Sequence, residues 1–197
     1  MPQLERSGAE PLPTAGAVRA AIDRAMTFYS GPYWPAPLRE VFFFDEGWHC
    51  QAAQKALASH RNESYENLCL DYVAARSSWV LRGKDTPEPS LVGGWSVSRL
   101  FPPQHGVTAT FSQALGAAVA IKLARGMKVE ADLLLLREVT AFLLRAQWRR
   151  PDCYACKTPE RAVGGFSQHL ASPHIRTHYV HEAMTALAKA AHLLKLR

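Results

Sequence analysis

The sequence predicts an all-α protein, and three observations carry that expectation. Apolar residues recur at helical spacing along most of the chain, and few segments alternate as strands do. The periodic stretches begin at Thr, Asn or Ser and stop at Gly or Pro, as helix ends do. Two long polar loops each pass through a glycine pair followed by an aromatic residue: Gly93-Gly94-Trp95 and Gly164-Gly165-Phe166.

The elements follow in order. Residues 1–14 lack an apolar signal core and read as a disordered leader, so 15–197 forms a single helical domain. A first helix ends near Gly31, and a proline-marked connector follows. Asp45 is the expected cap of a second helix. A third, capped by Asn62 or Ser64, is expected to stop at Gly83. A fourth runs from a Thr108 cap to Gly126, and a fifth is stopped by Pro151. For the last, Ser172 is the expected cap and Pro173 the first helical residue.

Composition sets bounds. A chain of 197 residues suits one domain with a core of its own, and 48% apolar residues is ordinary for a globular protein. No window approaches ~18 uninterrupted apolar residues, so no membrane span is expected. The net charge of +6 favours an anionic ligand or partner. No DNA- or RNA-binding signature, Gly-rich phosphate loop or GxSxG elbow occurs, so nucleic acid is not an expected partner. Without an export signal a reducing cytoplasm is expected. Cys50 and Cys69 then read as buried small apolar residues rather than disulfide partners.

The two glycine pairs sit in units of matching order, at about 65–125 and 129–197: helix, polar loop, Gly-Gly-aromatic, polar loop, helix. Glycine permits close backbone packing, and the aromatic fills the gap between helices. "FLLRAQ", a loop, "GGF" and a new helix resemble the repeat of squalene cyclases and protein prenyltransferases, members of the α/α-toroid superfamily. The similarity covers about Tyr65 to Arg197. It implies helical hairpins in a ring, here a partial α/α toroid with long Gly-Gly-aromatic loops. A full ring of six hairpins exceeds this chain, because helices with their loops take roughly 30 residues each. Half a ring, or one protomer of a composite ring or homo-oligomer, is the expectation. The cyclases' Asp-x-Asp-Asp motif and the prenyltransferases' Asp, Cys and His zinc triad are both missing, so the resemblance implies fold and not activity.

Candidate site residues come from several places. At about 100° per residue, His174, His178, His181 and His192 share one arc of the last helix, facing either solvent or a polar lumen. Glu182 and Gln113 hold comparable positions in the two repeat helices, and Gln51 does so in a weaker third unit. Asp45, Glu46 and His49 could form an acid–base group, although Asp45 and Glu46 also suit a helix start. The catalytic candidates are therefore His178, His181, Glu182, His49 and Glu46. The ligand-binding candidates are His174, Arg176, Gln113 and His105. Trp48, Trp95 and Phe166 read as core plugs. Cys153-x-x-Cys156 is the one close thiol pair, and zinc is the cofactor it would hold, with His178 and His181 as further ligands at unusual spacing. Two functions are expected from these residues. One is binding of a small anionic, isoprenoid or saccharide ligand at the mouth of the helix ring, between the 93–107 and 164–178 loops. The other is a non-catalytic helical module that completes a ring with a protein partner.

Overall fold

The computed structural model describes residues 14–31, 47–96, 101–153, 157–170 and 172–195. It is all-α. The helices are α1 (Ala15–Ser30), α2 (Trp48–Ala56), α3 (Glu63–Ser77), α4 (His105–Ala124), α5 (Glu130–Ala146), the single turn α6 (Pro159–Ala162) and α7 (Thr177–Lys195). Among the described residues no strand forms, only two isolated antiparallel bridges, Val80–Trp95 and Ser167–Ile175.

Local chemistry explains most helix ends. The Thr14 side chain accepts from the Ala17 amide and Asn62 from the Ser64 amide, each satisfying a donor the helix leaves unpaired. Gly126, with φ 67°, ends α4 in the left-handed region. Thr14 thus belongs to α1 and not to a leader; residues 1–13 lie outside the described residues, as do Asp45 and Glu46. Three boundaries are corrected. Helix α4 starts three residues before Thr108, whose hydroxyl bonds the Gln104 carbonyl at 2.7 Å and accepts from the Trp95 amide at 3.0 Å. Helix α3 stops at Ser77 and not at Gly83, because Val80 bridges to Trp95. Ser172 and Pro173 do not start α7; Ile175 bridges to Ser167, and the helix begins at Thr177.

Helix α4 is the centre of the fold. It is apolar on every side, with Gly, Ala and short polar residues throughout, and such a helix must be enclosed. Helices α2, α3, α5 and α7 all pack on it. Gly106 and Gly116 allow α7 to approach closely. A Cβ at Gly106 would lie 2.6 Å from the Tyr179 ring, and one at Gly116 would lie 3.0 Å from Lys189 Cδ. These contacts advance along both chains together, so α4 and α7 run parallel. Gly47 against Thr110 and Gln51 against Gln113 show that α2 runs the same way. Helices α3 and α5 run opposite to α4. Arg125, after the end of α4, reaches Glu63 and Asn67 at the start of α3, and Lys122 bonds Asp132 at the start of α5. Helix α1 docks on α3, where Asp23 accepts from Tyr65 and pairs with His60, both at 2.7 Å. Burial and the Asp23 acceptor push the Tyr65 phenol up to about 12.

The two glycine loops share one device. Leu81 and the first pair exchange backbone bonds of 3.0 Å and 2.8 Å, and Trp148 and the second pair do the same at 3.0 Å and 2.8 Å. Gly93 and Gly164 have φ 88° and 87°. Each loop opens on an Arg-x-x-Asp turn in which the carboxylate caps the arginine amide: Asp85 on Arg82, Asp152 on Arg149. At Gly93 a Cβ would stand 2.2 Å from the Glu138 carbonyl oxygen, so no side chain fits. Trp95 and Phe166 are buried as expected, with Trp95 stacked on Trp79 at 5.3 Å. The Arg76 guanidinium lies under this stack, buried, 5.1 Å from the Trp79 ring. Trp48 departs from its expected role: it is 54% exposed.

Cys50 and Cys69 form a disulfide, with Cα atoms 4.7 Å apart, linking α2 to α3. This corrects the reading of both as unpaired apolar side chains. Antiparallel packing of α2 and α3 brings together two helical cysteines that are 19 residues apart in sequence. Structural disulfides persist in oxidising compartments. Replacing both cysteines by alanine is expected to lower stability by about 3 kcal/mol, the loop-closure value for a cross-link of this span. Urea unfolding of oxidised, reduced and double-variant protein checks this. The double variant should fall below the oxidised wild type, and the reduced chain, which also loses the Cys153 disulfide, should fall at least as far.

Candidate functional site

The N-terminal turns of the parallel helices α2, α4 and α7 meet at one end of the fold. A cavity of about 240 Å³ opens between them, lined by Trp48, Gln104, Thr110, His178, Tyr179 and Glu182. Beneath it runs a polar ladder. Gln51 Nε2 donates to Gln113 Oε1 at 2.8 Å, and Gln113 Nε2 donates to Glu182 Oε2 at 2.6 Å and to the Glu182 carbonyl at 3.0 Å. The three residues that hold comparable places in the sequence units are thus bonded in a row across three helices. Gln113 is buried, so its amide sets the position of the Glu182 carboxylate and leaves Oε1 for the cavity. The Lys189 ammonium donates to the Gln113 carbonyl at 3.2 Å. Burial, with Lys55 nearby, lowers Lys189 to about 8.

The other candidates are dispersed. His174, Arg176, His181 and His192 are exposed, so the shared histidine arc of α7 faces solvent except where His178 borders the cavity. His49 is buried against Tyr72, ring centroids 4.9 Å apart in an edge-on contact, and stacks on Tyr29. Glu46 and Cys156 lie outside the described residues. Cys153 is buried and disulfide-bonded, and a disulfide sulfur is not the thiolate that zinc requires. Among the described residues no cluster of three or more His, Cys, Asp or Glu side chains is placed to hold a metal.

His105 occupies the first turn of α4, on the flank away from the ladder. It is 1% exposed, its ring is edge-on to Phe142 at 5.7 Å, and its N–H is directed at the Ser167 backbone without reaching full hydrogen-bond geometry. Desolvation lowers it to about 4, with the Ser167 backbone opposing and His169 assisting. The sequence marked His105 as a ligand residue but gave no sign of this burial. Sequence reading also missed Trp48 and Lys189. Trp48 follows a glycine and resembles the other aromatic plugs, and Lys189 is one of many cations.

Helix α4 is also the one described helix long and apolar enough to cross a membrane, yet 72% of its apolar window is buried by its neighbours. No protein family, curated protein or solved structure matches the chain.

The buried imidazole makes stability depend on pH. His105 binds its proton near pH 6.5 when unfolded and near 4 when folded, so the unfolded state gains protons first on acidification. Its contribution is complete above pH 6.5 and is lost as pH falls toward 4, by roughly 3 kcal/mol. Denaturant unfolding at pH 7 and pH 4.5, for wild type and His105→Phe, should show a smaller acid loss in the variant. An equal loss in both would clear His105 of the effect.

Proposed function

We propose that the chain is a toroid-like helical domain that binds a small, hydroxyl-rich ligand of the saccharide class at the mouth between α2, α4 and α7. The carrying observation is the cavity at that mouth, where an exposed indole faces a carboxylate held by a buried amide. A sugar ring has apolar C–H faces that suit the Trp48 indole, and hydroxyl edges that suit directional partners. Glu182, Gln104 and His178 supply those partners. The cavity volume suits one ring rather than a chain of them. Glu182 is the carboxylate among its described lining residues, whereas glycoside hydrolysis takes two acids flanking the bond. The reading proposed is therefore binding, with Glu182 as a hydrogen-bond acceptor. The alternation of helix directions supports the toroid reading: α2, α4 and α7 run one way, and α3 and α5 run the other.

Trp48 fluorescence titrated with glucose and maltose tests the proposal. A saturable change is expected, weakened about fivefold in Glu182→Gln, a loss of about 1 kcal/mol. That substitution keeps the bond to Gln113. A flat titration with both sugars, in protein whose helical circular dichroism is native, would reject the saccharide class.

A second reading rests on a separate observation. Leu134 and Leu144 are more than half exposed on α5, and Val18, Ile22 and Phe28 are exposed on α1. Apolar faces of this kind fit a helical module that completes a ring with a second copy. Light scattering is expected to show a dimer or larger species that a Leu134→Asp, Leu144→Asp variant converts to monomer. A wild-type monomer at high concentration would remove this reading.

A further inference from the structure

A second cavity of about 240 Å³ lies on the other flank of the α4 N-terminus, where the end of α5 meets the loop before α7. Its lining includes His105, Arg145, Gln147, Arg149, Asp152 and Ser167, and it shares no residue with the mouth cavity. We infer that this cavity is a binding site for a small oxyanion, a carboxylate or phosphate that also carries a hydroxyl group.

The charge comes first. Two guanidinium groups border the cavity against one carboxylate, so its lining is formally +1. Asp152 accepts from the Arg149 amide and from Nε, both at 3.1 Å, which orients the guanidinium and leaves its terminal nitrogens for another acceptor. One terminal nitrogen of Arg145 bonds the Val92 carbonyl. That bond fixes the side chain against the first glycine loop while further N–H donors remain. Two positioned guanidinium forks suit a planar or tetrahedral oxyanion better than point charges would. Gln147 Nε2 donates to the Gly164 carbonyl at 3.1 Å, which holds this side chain at the cavity wall.

The neutral end of the site is His105. Buried polar atoms are nearly always bonded, and an orphaned one marks a ligand or an absent water. One His105 nitrogen faces the Ser167 backbone and the other is orphaned, in a residue that is 1% exposed and lines this cavity. Because the ring is held neutral with its N–H toward the Ser167 backbone, it offers a lone pair, which suits a hydroxyl donor and not a second anionic oxygen. Arginines at one end and a neutral imidazole at the other define a ligand with an anionic head and a hydroxyl. At the ~30 Å³ that a water occupies in the liquid, the cavity has room for on the order of eight waters. A short hydroxycarboxylate or phosphate fits; a nucleotide does not.

Nuclear magnetic resonance of the His105 ring, titrated with lactate, inorganic phosphate and sodium chloride, tests this. Lactate or phosphate should move the His105 resonance saturably, while chloride at equal ionic strength should not. In Arg149→Gln the midpoint should rise roughly tenfold, as expected for loss of one charged fork, and Arg149→Lys should recover part of it. The His178 resonance reports the mouth cavity and should stay still, so failure here is distinct from failure of the saccharide reading. A His105 resonance that neither lactate nor phosphate moves would overturn the inference. So would equal shifts in wild type and Arg149→Gln, with native Trp indole signals showing that the variant is folded.

Discussion

The structure depends on the enclosure of α4, and within it on the hydrogen bonds of one buried amide. Gln113 sits at 1% exposure in the middle of an apolar helix, where an unbonded amide would cost about 1–3 kcal/mol. Its oxygen takes Gln51 from α2, its nitrogen gives to Glu182 of α7, and its backbone carbonyl takes Lys189. Satisfying Gln113 therefore fixes the register of α2 and α7 against α4. Small residues on either side of it, Gly106 and Gly116, allow the approach that those bonds need.

The loops solve a second constraint with one device used twice. A helix that must be surrounded needs its flanking helices returned to the same end, so long connections cross the outside of the fold. Each connection is pinned at its start by an arginine–aspartate turn and at its middle by backbone bonds to a glycine pair. The first loop is also tied to α5 through Arg82–Glu138 and Arg145–Val92. Two cavities remain at the N-terminal end of α4, one on the ladder flank and one beneath the second loop. Each mixes apolar surface with polar groups already oriented by their neighbours, the arrangement that gives a small pocket its selectivity.

Several of these features were legible in the residues. Asn62 as a cap, Gly126 as a terminator and the buried Trp95 and Phe166 follow from local chemistry that neighbours do not overrule. The equivalence of Gln51, Gln113 and Glu182 was visible as a position within a repeat. Thr108 and Ser172 misled because a hydroxyl before an apolar run fits a cap, yet here each serves a contact outside its helix: Thr108 holds Trp95, and Ser172 precedes an extended stretch pinned by Ile175. The histidines of α7 looked like a cluster because helical periodicity groups them, but periodicity says nothing of what covers the face, and that face is open to solvent.

The sequence by itself determined the all-α class, the main helices and the positions of the two glycine turns, because these rest on interactions between residues a few positions apart. Tertiary structure alone decided which side chains meet. It brought Cys50 to Cys69 across a hairpin, left Trp48 at a mouth while similar aromatics were buried, and buried His105 against the Phe142 ring beside a cavity that Arg145 and Arg149 also line. Such pairings depend on helix direction and separation in space, and those are set by how α4 is enclosed rather than by any local run of residues.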